Sequence, residues 1–256
     1  MEDRKIAEIA HYDDEAKKFN EDTRKTLDDN IDVSGIEIGM MESYKYVYNI
    51  LQSKVSQKKV LDYGCGHGMH SVKLAEWAGE VSGIDLSEES LKIARDRAAK
   101  KNLIINFIAG DCEALPFTDN TFDIVFDGGT FSSLDFVKAT DEIKRVLKPD
   151  GLLIGIETLG HNPLLNLKRS INKLRGIRTG WAADHIMKNF NFHHLNHTLT
   201  KVDQKYFELF SMFIFPFRSL RNAKKLFSFV DKIDTYILKL PIIKYLAFKT
   251  VFVYKK

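Results

Sequence analysis

Cysteine is scarce in this chain, and its scarcity excludes a fold held together by disulfides. The 256 residues contain only two cysteines, Cys65 and Cys112, whereas small secreted scaffolds rely on several paired ones. Two thiols are also a poor set of metal ligands, so we predict no metal site. A reducing, cytoplasmic setting is expected.

Long apolar runs are missing as well. The longest stretch, LFSMFIFPF at residues 209–217, is far shorter than the roughly 20 residues that cross a bilayer. The first residues, MEDRKIAEIAHYDDEA, are charged and have no apolar core of the kind found in signal peptides. We therefore predict neither a transmembrane segment nor secretion.

Positive charge is present in only small excess. A net charge of +3 is too low for the basic face of a nucleic-acid-binding protein, so no nucleic-acid partner is predicted. The excess lies in the carboxy-terminal part, from Arg218 onward.

An amphipathic helix is predicted in this basic part, with lysines on one face and apolar residues on another. The apolar residues are Leu226, Phe227, Val230, Ile233 and Ile237. Two interpretations stay open, because such a face either packs on the core or contacts the inner face of a membrane peripherally.

A glycine-rich turn is the first sign of a ligand site. Residues 60–68, VLDYGCGHG, are typical of a buried strand that runs into a turn and a helix. Gly64, Gly66 and Gly68 lack a Cβ, so a ligand can approach the backbone closely. No Lys-Ser or Lys-Thr follows, which excludes a P-loop, and the spacing differs by one residue from the dinucleotide fingerprint.

Four further motifs follow in order. They are VSGIDLS at 81–87, GDCEALPF at 110–117, FDIVFD at 122–127 and RVLKPDGLLI at 145–154. Strands and helices alternate from residue 59 to about 157, which predicts a doubly wound α/β fold with a mostly parallel sheet. Because parallel strands end at one edge, Asp62 and Asp85 are expected to flank the same site.

These five ordered segments resemble class I S-adenosylmethionine-dependent methyltransferases, and within them the small-molecule group of the ubiquinone and menaquinone methyltransferases. The resemblance covers residues 58–157. It implies a Rossmann-like, seven-stranded sheet with helical cap insertions, and S-adenosylmethionine as cofactor with S-adenosylhomocysteine as product. The cofactor-binding residues that it implies are Asp62, Gly64, Cys65, Gly66, Asp85, Leu86, Asp111, Cys112 and Asp127.

The resemblance also assigns roles to three of these acids. Asp62 is expected to bind the cofactor's ammonium group, Asp85 the ribose hydroxyls, and Asp111 the adenine amino group. The carboxylate of Asp85 suits the ribose diol because it can accept a hydrogen bond from each of the two hydroxyls.

The chain divides, on this reading, into a helical lid at residues 1–57 and a methyltransferase domain at 58–256. Cap insertions are expected at about 160–200 and 216–245. In the lid, the segment His11–Asp14 suits contact with the cofactor, although a plain surface helix explains it equally well.

Two predictions concern the elements of the second half. Cap helices are expected at 164–174 and 183–190. The last two strands are expected at 206–215 and 247–254, paired antiparallel at one edge of the sheet.

The predicted reaction is direct in-line displacement of the methyl group from sulfur by a small-molecule, lipid-linked or glycan-linked acceptor. A general base is needed for an oxygen or carbon acid. Position along the chain favours His161 or His185 for this role, with Asp127 nearest to where the family places the substrate.

Alternative functions stay open. A non-catalytic S-adenosylmethionine-binding sensor or partner subunit would carry the same motifs, and so would a protein methyltransferase. Residues 127–131 read DGGTF rather than the Asn/Asp-Pro-Pro-aromatic tetrapeptide of enzymes that methylate base amino groups. The acceptor and the oligomeric state are not encoded in any motif.

Overall fold

A seven-stranded sheet carries the fold. In this computed structural model, which describes residues 2–21, 41–174, 179–218 and 220–256, the strands are β1 Lys59–Tyr63, β2 Glu80–Asp85, β3 Asn106–Ala109, β4 Phe122–Asp127, β5 Leu147–Thr158, β6 Thr200–Phe207 and β7 Lys249–Lys255. Their order is β3-β2-β1-β4-β5-β7-β6. The neighbouring pairs among β1 to β5 are parallel, and β7 runs antiparallel to both β5 and β6. The predicted mostly parallel sheet is confirmed.

Helices cover both faces of the sheet. They are α1 Asp3–Glu21, α2 Glu42–Lys54, α3 Met69–Ala75, α4 Glu88–Lys100, α5 Phe136–Val146, α6 Pro163–Leu174, α7 Gly180–Asp184, α8 Asn189–Thr198 and α9 Ala223–Ile237. Short 3-10 helices occupy Phe131–Ser133, Ser211–Phe217 and Ile243–Leu246. The described helices include none that is long and apolar enough to span a membrane.

Alternation along the strands builds two buried layers. Leu61, Val125 and Leu153 belong to one hydrophobic cluster, whereas their neighbours Val60 and Ile124 belong to the other. Successive side chains of a strand point to opposite faces, so both faces of the central strands must be apolar. The sheet therefore forms a rigid platform whose strand ends hold the site.

The start of α4 agrees with the sequence. Ser87 accepts a hydrogen bond from the Ser90 amide, and Glu88 and Glu89 lie in the first turn. A side-chain cap and acidic residues both stabilise a helix N-terminus. Only two residues separate the start of α4 from the end of β2, which fixes the position of Asp85.

The sixth strand lies earlier than predicted. We expected it at 206–215, but it spans Thr200–Phe207, and the apolar run that follows is a 3-10 helix. Asp234 accepts hydrogen bonds from the amides of Leu209, Phe210 and Ser211, which turns the chain away from the sheet. As an edge strand, β6 is half solvated and needs no continuous apolar sequence. The predicted antiparallel pairing of the last two strands is confirmed.

One of the two helix predictions in the second half needs correction. The helix expected at 183–190 is replaced by α7 and α8, separated by a segment in which Met187 forms a bridge with Leu159. Helix α7 begins earlier because Thr179 caps it. The predicted helix at 164–174 is confirmed.

The predicted apolar face of α9 is divided in the structure. Phe227 is buried, whereas Leu226 and Ile233 are exposed. Asp231 and Asp234 occupy the buried side instead. Residues 22–40 of the predicted lid and 175–178 of the predicted cap lie outside the described residues.

Candidate active site

The glycine turn connects β1 to α3. Gly64, Gly66 and Gly68 all have positive φ, of 67°, 49° and 73°. A Cβ at Gly64 would lie 2.3 Å from the side chain of Thr130, and one at Gly68 would lie 2.7 Å from Ala94 Cβ. A Cβ at Gly66 would meet nothing within 4 Å. Two of the glycines are therefore required by packing, and Gly66 borders open space.

Asp85 ties this turn to the next strand. Its Oδ2 accepts a hydrogen bond of 2.8 Å from the Gly66 amide, and its Oδ1 accepts one of 2.9 Å from the Ser87 amide. Burial raises the pKa of the Asp85 carboxyl, although the backbone donors oppose that shift. Each oxygen retains a lone pair for a further donor.

A cavity of about 270 Å³ lies beside the turn at the carboxyl edge of the sheet. Six of the predicted cofactor-binding residues line it, namely Gly64, Cys65, Gly66, Asp85, Leu86 and Cys112. The remaining wall is formed by Glu8, Tyr12, Glu15, Tyr44, His67, Met69, His70, Ser90, Gly128, Gly129, Thr130, Ser133 and Leu134. The structure thus brings together residues from the first 134 positions of the chain.

Asp62 lies outside this lining set, buried at the end of β1. It is 1% exposed and accepts a hydrogen bond from the Ser71 hydroxyl. Burial raises its pKa to about 7, and the negative charge of Asp85 adds to the shift. Its predicted contact with the cofactor's ammonium group stays a prediction.

Asp127 also lies behind the wall rather than in it. Its Oδ1 accepts hydrogen bonds from the amides of Gly129 and Thr130, so it shapes the turn that lines the cavity. Its Oδ2 has no hydrogen-bond partner among the described residues. Burial, and then the charge of Glu157, hold the pKa of the Asp127 carboxyl well above its usual range.

Asp111 faces α1. Its Oδ2 accepts a hydrogen bond of 2.6 Å from Lys5, and its Oδ1 accepts one from the Glu113 amide. Arg4 forms an ion pair of 2.7 Å with the buried Glu113. The predicted adenine-binding acid is therefore attached to the amino-terminal helix.

Helix α1 crosses the site and holds several of its loops. The Tyr12 hydroxyl lies 2.9 Å from that of Ser133, and Asp13 accepts a hydrogen bond from the Ser87 hydroxyl. Of the predicted contact segment His11–Asp14, Tyr12 lines the cavity. Asp14 instead pairs with Lys18 on the exposed side.

The two histidines that the sequence favoured lie elsewhere. His161 accepts a hydrogen bond from the Asn189 amide, and His185 stacks on Trp181 at 3.7 Å between ring centroids. Neither is among the described residues that line the cavity. Their predicted role as a base has no geometric support.

His70, which lines the cavity together with His67, is a histidine that sequence reasoning did not favour as the base. Its Nδ1 lies 2.7 Å from the Tyr48 hydroxyl. Burial, aided by the charge of Lys249, lowers the His70 pKa to about 3, so the ring is neutral near pH 7. Its place in the first turn of α3, two residues after Gly68, was the signal that could have identified it.

Tyr44 and the two glutamates of α1 were also missed. Tyr44 stands 20 residues before the glycine turn and accepts a 3.1 Å hydrogen bond from the buried Lys249. Glu8 and Glu15 occur on the same helix, with no motif around them. Only the folded chain brings these three residues to the cavity.

The site fits the predicted cofactor. The backbone of Gly66 faces open space, because a Cβ built at this residue would have no atom within 4 Å. Three carboxylates, Glu8, Glu15 and Asp85, line the cavity, and its described lining contains no Lys or Arg. A ligand with hydroxyl or amino donors and positive charge suits this lining.

Known proteins resemble this chain in sequence. A family model described as a methyltransferase domain matches residues 54–207, from the end of α2 through β6. A demethylmenaquinone methyltransferase from Staphylococcus haemolyticus is 34% identical over 134 residues, which is 51% of this chain and 54% of the relative. The chain thus spans about half the length of that curated relative.

Solved structures share the fold. A SAM-dependent methyltransferase from Aquifex aeolicus superposes with a TM-score of 0.57 over 95% of this chain and 97% of that one, at 16% identity. A geranyl diphosphate methyltransferase, in complex with GPP and sinefungin, gives 0.61 over 82% and 75%, at 13% identity. Because the family match covers more than half of the chain, this protein belongs to the methyltransferase domain family.

Proposed function

We propose that this protein transfers a methyl group from S-adenosylmethionine to an apolar small-molecule acceptor held in the 270 Å³ cavity. The observation that carries the proposal is the cavity itself, which joins the glycine turn, Asp85 and an acidic lining at the carboxyl edge of the sheet. When bound, the cofactor supplies an electrophilic methyl group on a sulfonium. The protein has to bind, orient and exclude water.

The cofactor half of the cavity would use the predicted residues. Asp85 has lone pairs left for the ribose hydroxyls, and Asp111 lies beside Cys112 for the adenine amino group. Helix α1, in this proposal, is a lid, because its ion pairs with Asp111 and Glu113 bind it to the cofactor motif. The sensor interpretation shares all of these features.

The acceptor half would be formed by Tyr44, Met69, His70, Thr130 and Leu134. His70 has a pKa of about 3, which makes it a weak base and a neutral hydrogen-bonding group. Asp127 would act by holding the turn at Thr130 in place. This wall favours an apolar acceptor with few polar atoms.

We further propose that the acceptor is drawn from a membrane. The support is α9, whose outer stripe is apolar. Its exposed members recur at spacings of three and four residues: Leu226, Phe229, Ile233 and Tyr236. Leu240, just past the end of the helix, is also exposed. Phe229 is 63% and Tyr236 77% exposed, and side chains at this spacing share one face of a helix.

The opposite stripe of α9 already holds the helix to the protein. Phe227, Asp231 and Asp234 are buried there, and Asp234 binds three amides of the preceding turn. Packing on the core therefore does not account for the outer apolar stripe. Exposed aromatic rings beside lysines are typical of helices that lie in a bilayer interface.

The charges of this segment match an anionic lipid surface. Within the described part of 209–246, the exposed cations are Arg218, Arg221, Lys224, Lys225, Lys232 and Lys239, while both acids, Asp231 and Asp234, are buried. Each such cation contributes about 1 kcal/mol of attraction near an anionic membrane. The segment follows β6 and precedes β7, so it leaves the sheet at the same carboxyl edge as the cavity.

Vesicle flotation tests the membrane contact. We expect the protein to float with vesicles containing phosphatidylglycerol and to stay behind with pure phosphatidylcholine. Lys225→Glu with Lys232→Glu should abolish flotation, and Lys100→Glu on α4 serves as the matched control. Equal recovery of all variants would contradict the proposal.

Product analysis tests the activity. The purified protein is incubated with S-adenosylmethionine and demethylmenaquinone in vesicles, the acceptor named for the Staphylococcus relative, or with soluble phenols and a peptide mixture. Mass spectrometry should detect a methylated lipid-like product together with S-adenosylhomocysteine. Cofactor binding without any product would favour the sensor, and a methylated peptide would favour a protein methyltransferase.

A further inference from the structure

Glu8 is a buried carboxylate with an incomplete set of partners. It is 3% exposed and lines the cavity. Its Oε1 accepts a hydrogen bond from the Thr179 hydroxyl, whereas its Oε2 has no hydrogen-bond partner among the described residues. A buried carboxylate oxygen left without a donor or a cation is strongly unfavourable. Its position at the cavity wall indicates that a ligand supplies the missing partner.

The surrounding charges point to a positive ligand. Glu15 and Asp85 line the same cavity. The nearby cations of α1 form ion pairs with other acids: Arg4 pairs with Glu113, and Lys5 pairs with Asp111. Within the described lining, negative charge is therefore uncompensated.

We propose that Glu8 reads the charge of the bound nucleoside and holds the lid more tightly over the methyl donor than over the product. The inference rests on the proposed function. The donor carries a sulfonium, an ammonium and a carboxylate. On transfer the carbon–sulfur electron pair stays with sulfur, so the product is a neutral thioether with one positive charge less. Attraction to Glu8 falls accordingly.

The same residue links the lid to the segment between β5 and β6. Glu8 binds Thr179, and the Arg4 guanidinium lies 4.5 Å from the ring centroid of Trp181. Loosening α1 after transfer therefore releases contacts on both sides of the cavity. Product release and opening of the acceptor side are coupled through one helix.

Calorimetric titration with S-adenosylmethionine and, separately, S-adenosylhomocysteine tests the inference on the full chain. Glu8→Gln keeps the shape of the side chain and removes its charge. We expect it to lower the ratio of donor to product affinity about tenfold, which corresponds to one close charge interaction. In hydrogen exchange, α1 of the wild type should be better protected with donor than with product, and Glu8→Gln should remove that difference.

Two variants separate charge from structure. Thr179→Val removes the hydrogen bond to Glu8 but keeps the carboxylate, so it should weaken both ligands equally and leave the ratio unchanged. Asp14→Asn removes an exposed charge of the same helix, which pairs with Lys18, and should also leave the ratio unchanged.

The outcomes distinguish this inference from the function on which it rests. If Glu8→Gln has the same ratio of donor to product affinity as the wild type, the proposed response of Glu8 to ligand charge is wrong, while the methyltransferase proposal stands. If the wild type binds neither ligand, both are overturned. A ratio lowered equally by Asp14→Asn would show a long-range effect of net charge and would overturn the role of Glu8.

Discussion

Gly64 and Gly66 look alike in the sequence, yet their surroundings differ. Gly64 faces Thr130, whose side chain occupies the place of a Cβ, while Gly66 faces open space. The tight turn therefore demands one glycine for packing and the other for ligand approach. This difference arises from a contact between positions 66 residues apart.

Alanine substitutions should separate these two requirements. Gly64→Ala forces a clash at 2.3 Å and should reduce the free energy of unfolding by about 1–3 kcal/mol. Gly66→Ala carries only the backbone cost of positive φ, about 1 kcal/mol, but should weaken S-adenosylmethionine binding more than tenfold. Chemical denaturation and calorimetry measure the two effects. Equal stabilities would contradict the packing role of Gly64.

A second residue-scale prediction concerns pH. Burial raises the pKa of Glu208 to about 7, so the folded state keeps this proton after the unfolded chain has lost it. Its contribution to stability is complete below the unfolded pKa near 4.5 and is lost as pH rises towards 7, at up to about 1.4 kcal/mol per pH unit.

Comparison with Glu208→Gln isolates this contribution. His70, with its lowered pKa, acts in the opposite direction between about pH 3 and 6.5, but it is present in both proteins. We expect the variant to gain stability relative to wild type between pH 5 and pH 8 in urea denaturation. A difference that is independent of pH would refute the shift.

At the scale of elements, local sequence predicted most helices and strands, and its main failure has a long-range cause. The run Leu209–Phe217 has the composition of a strand. It forms a 3-10 helix because Asp234, on a helix that starts later in the chain, binds its first amides. A prediction from local composition does not take into account a hydrogen-bond partner 25 residues away.

Removing that partner should release the turn. Asp234→Ala leaves three amides, two of them buried, and the Ser211 hydroxyl without their acceptor. We expect a loss of about 3 kcal/mol or more in unfolding free energy, with faster hydrogen exchange at residues 209–211. Thr235→Ala, on the exposed side of α9, should change stability by less than about 0.5 kcal/mol. Similar losses for both variants would contradict this account.

At the scale of the whole molecule, the site is an assembly of distant segments. Helix α1, the glycine turn, the ends of β2 and β4, and α2 all contribute to one cavity. A ligand that contacts them together should stabilise the fold as a unit. This follows from linkage, because only the folded chain presents the complete site.

Thermal unfolding measures this linkage. S-adenosylmethionine at about 100 times its dissociation constant should add about 2.7 kcal/mol to the free energy of unfolding and raise Tm by several degrees. NAD should have little effect, since the glycine spacing is not that of a dinucleotide site. Asp85→Asn should remove most of the shift. Stabilisation by NAD to the same degree would count against a methyl-donor site.

The sequence by itself determined the fold class, the order of the motifs and the methyltransferase family, and it predicted the cofactor, because these depend on short segments whose spacing sets strand ends and turn conformation. The six predicted cofactor-binding residues that line the cavity all belong to such segments.

Only the tertiary structure decided which other side chains meet the ligand. Glu8, Tyr44 and His70 come together through packing across the sheet, whereas His161 and His185, favoured by their position along the chain, lie outside the lining. The structure also showed that α9 buries its acids and exposes its apolar stripe. Local periodicity predicts that a helix has an apolar and a polar face. Which face is buried depends on the residues that the rest of the chain packs against it.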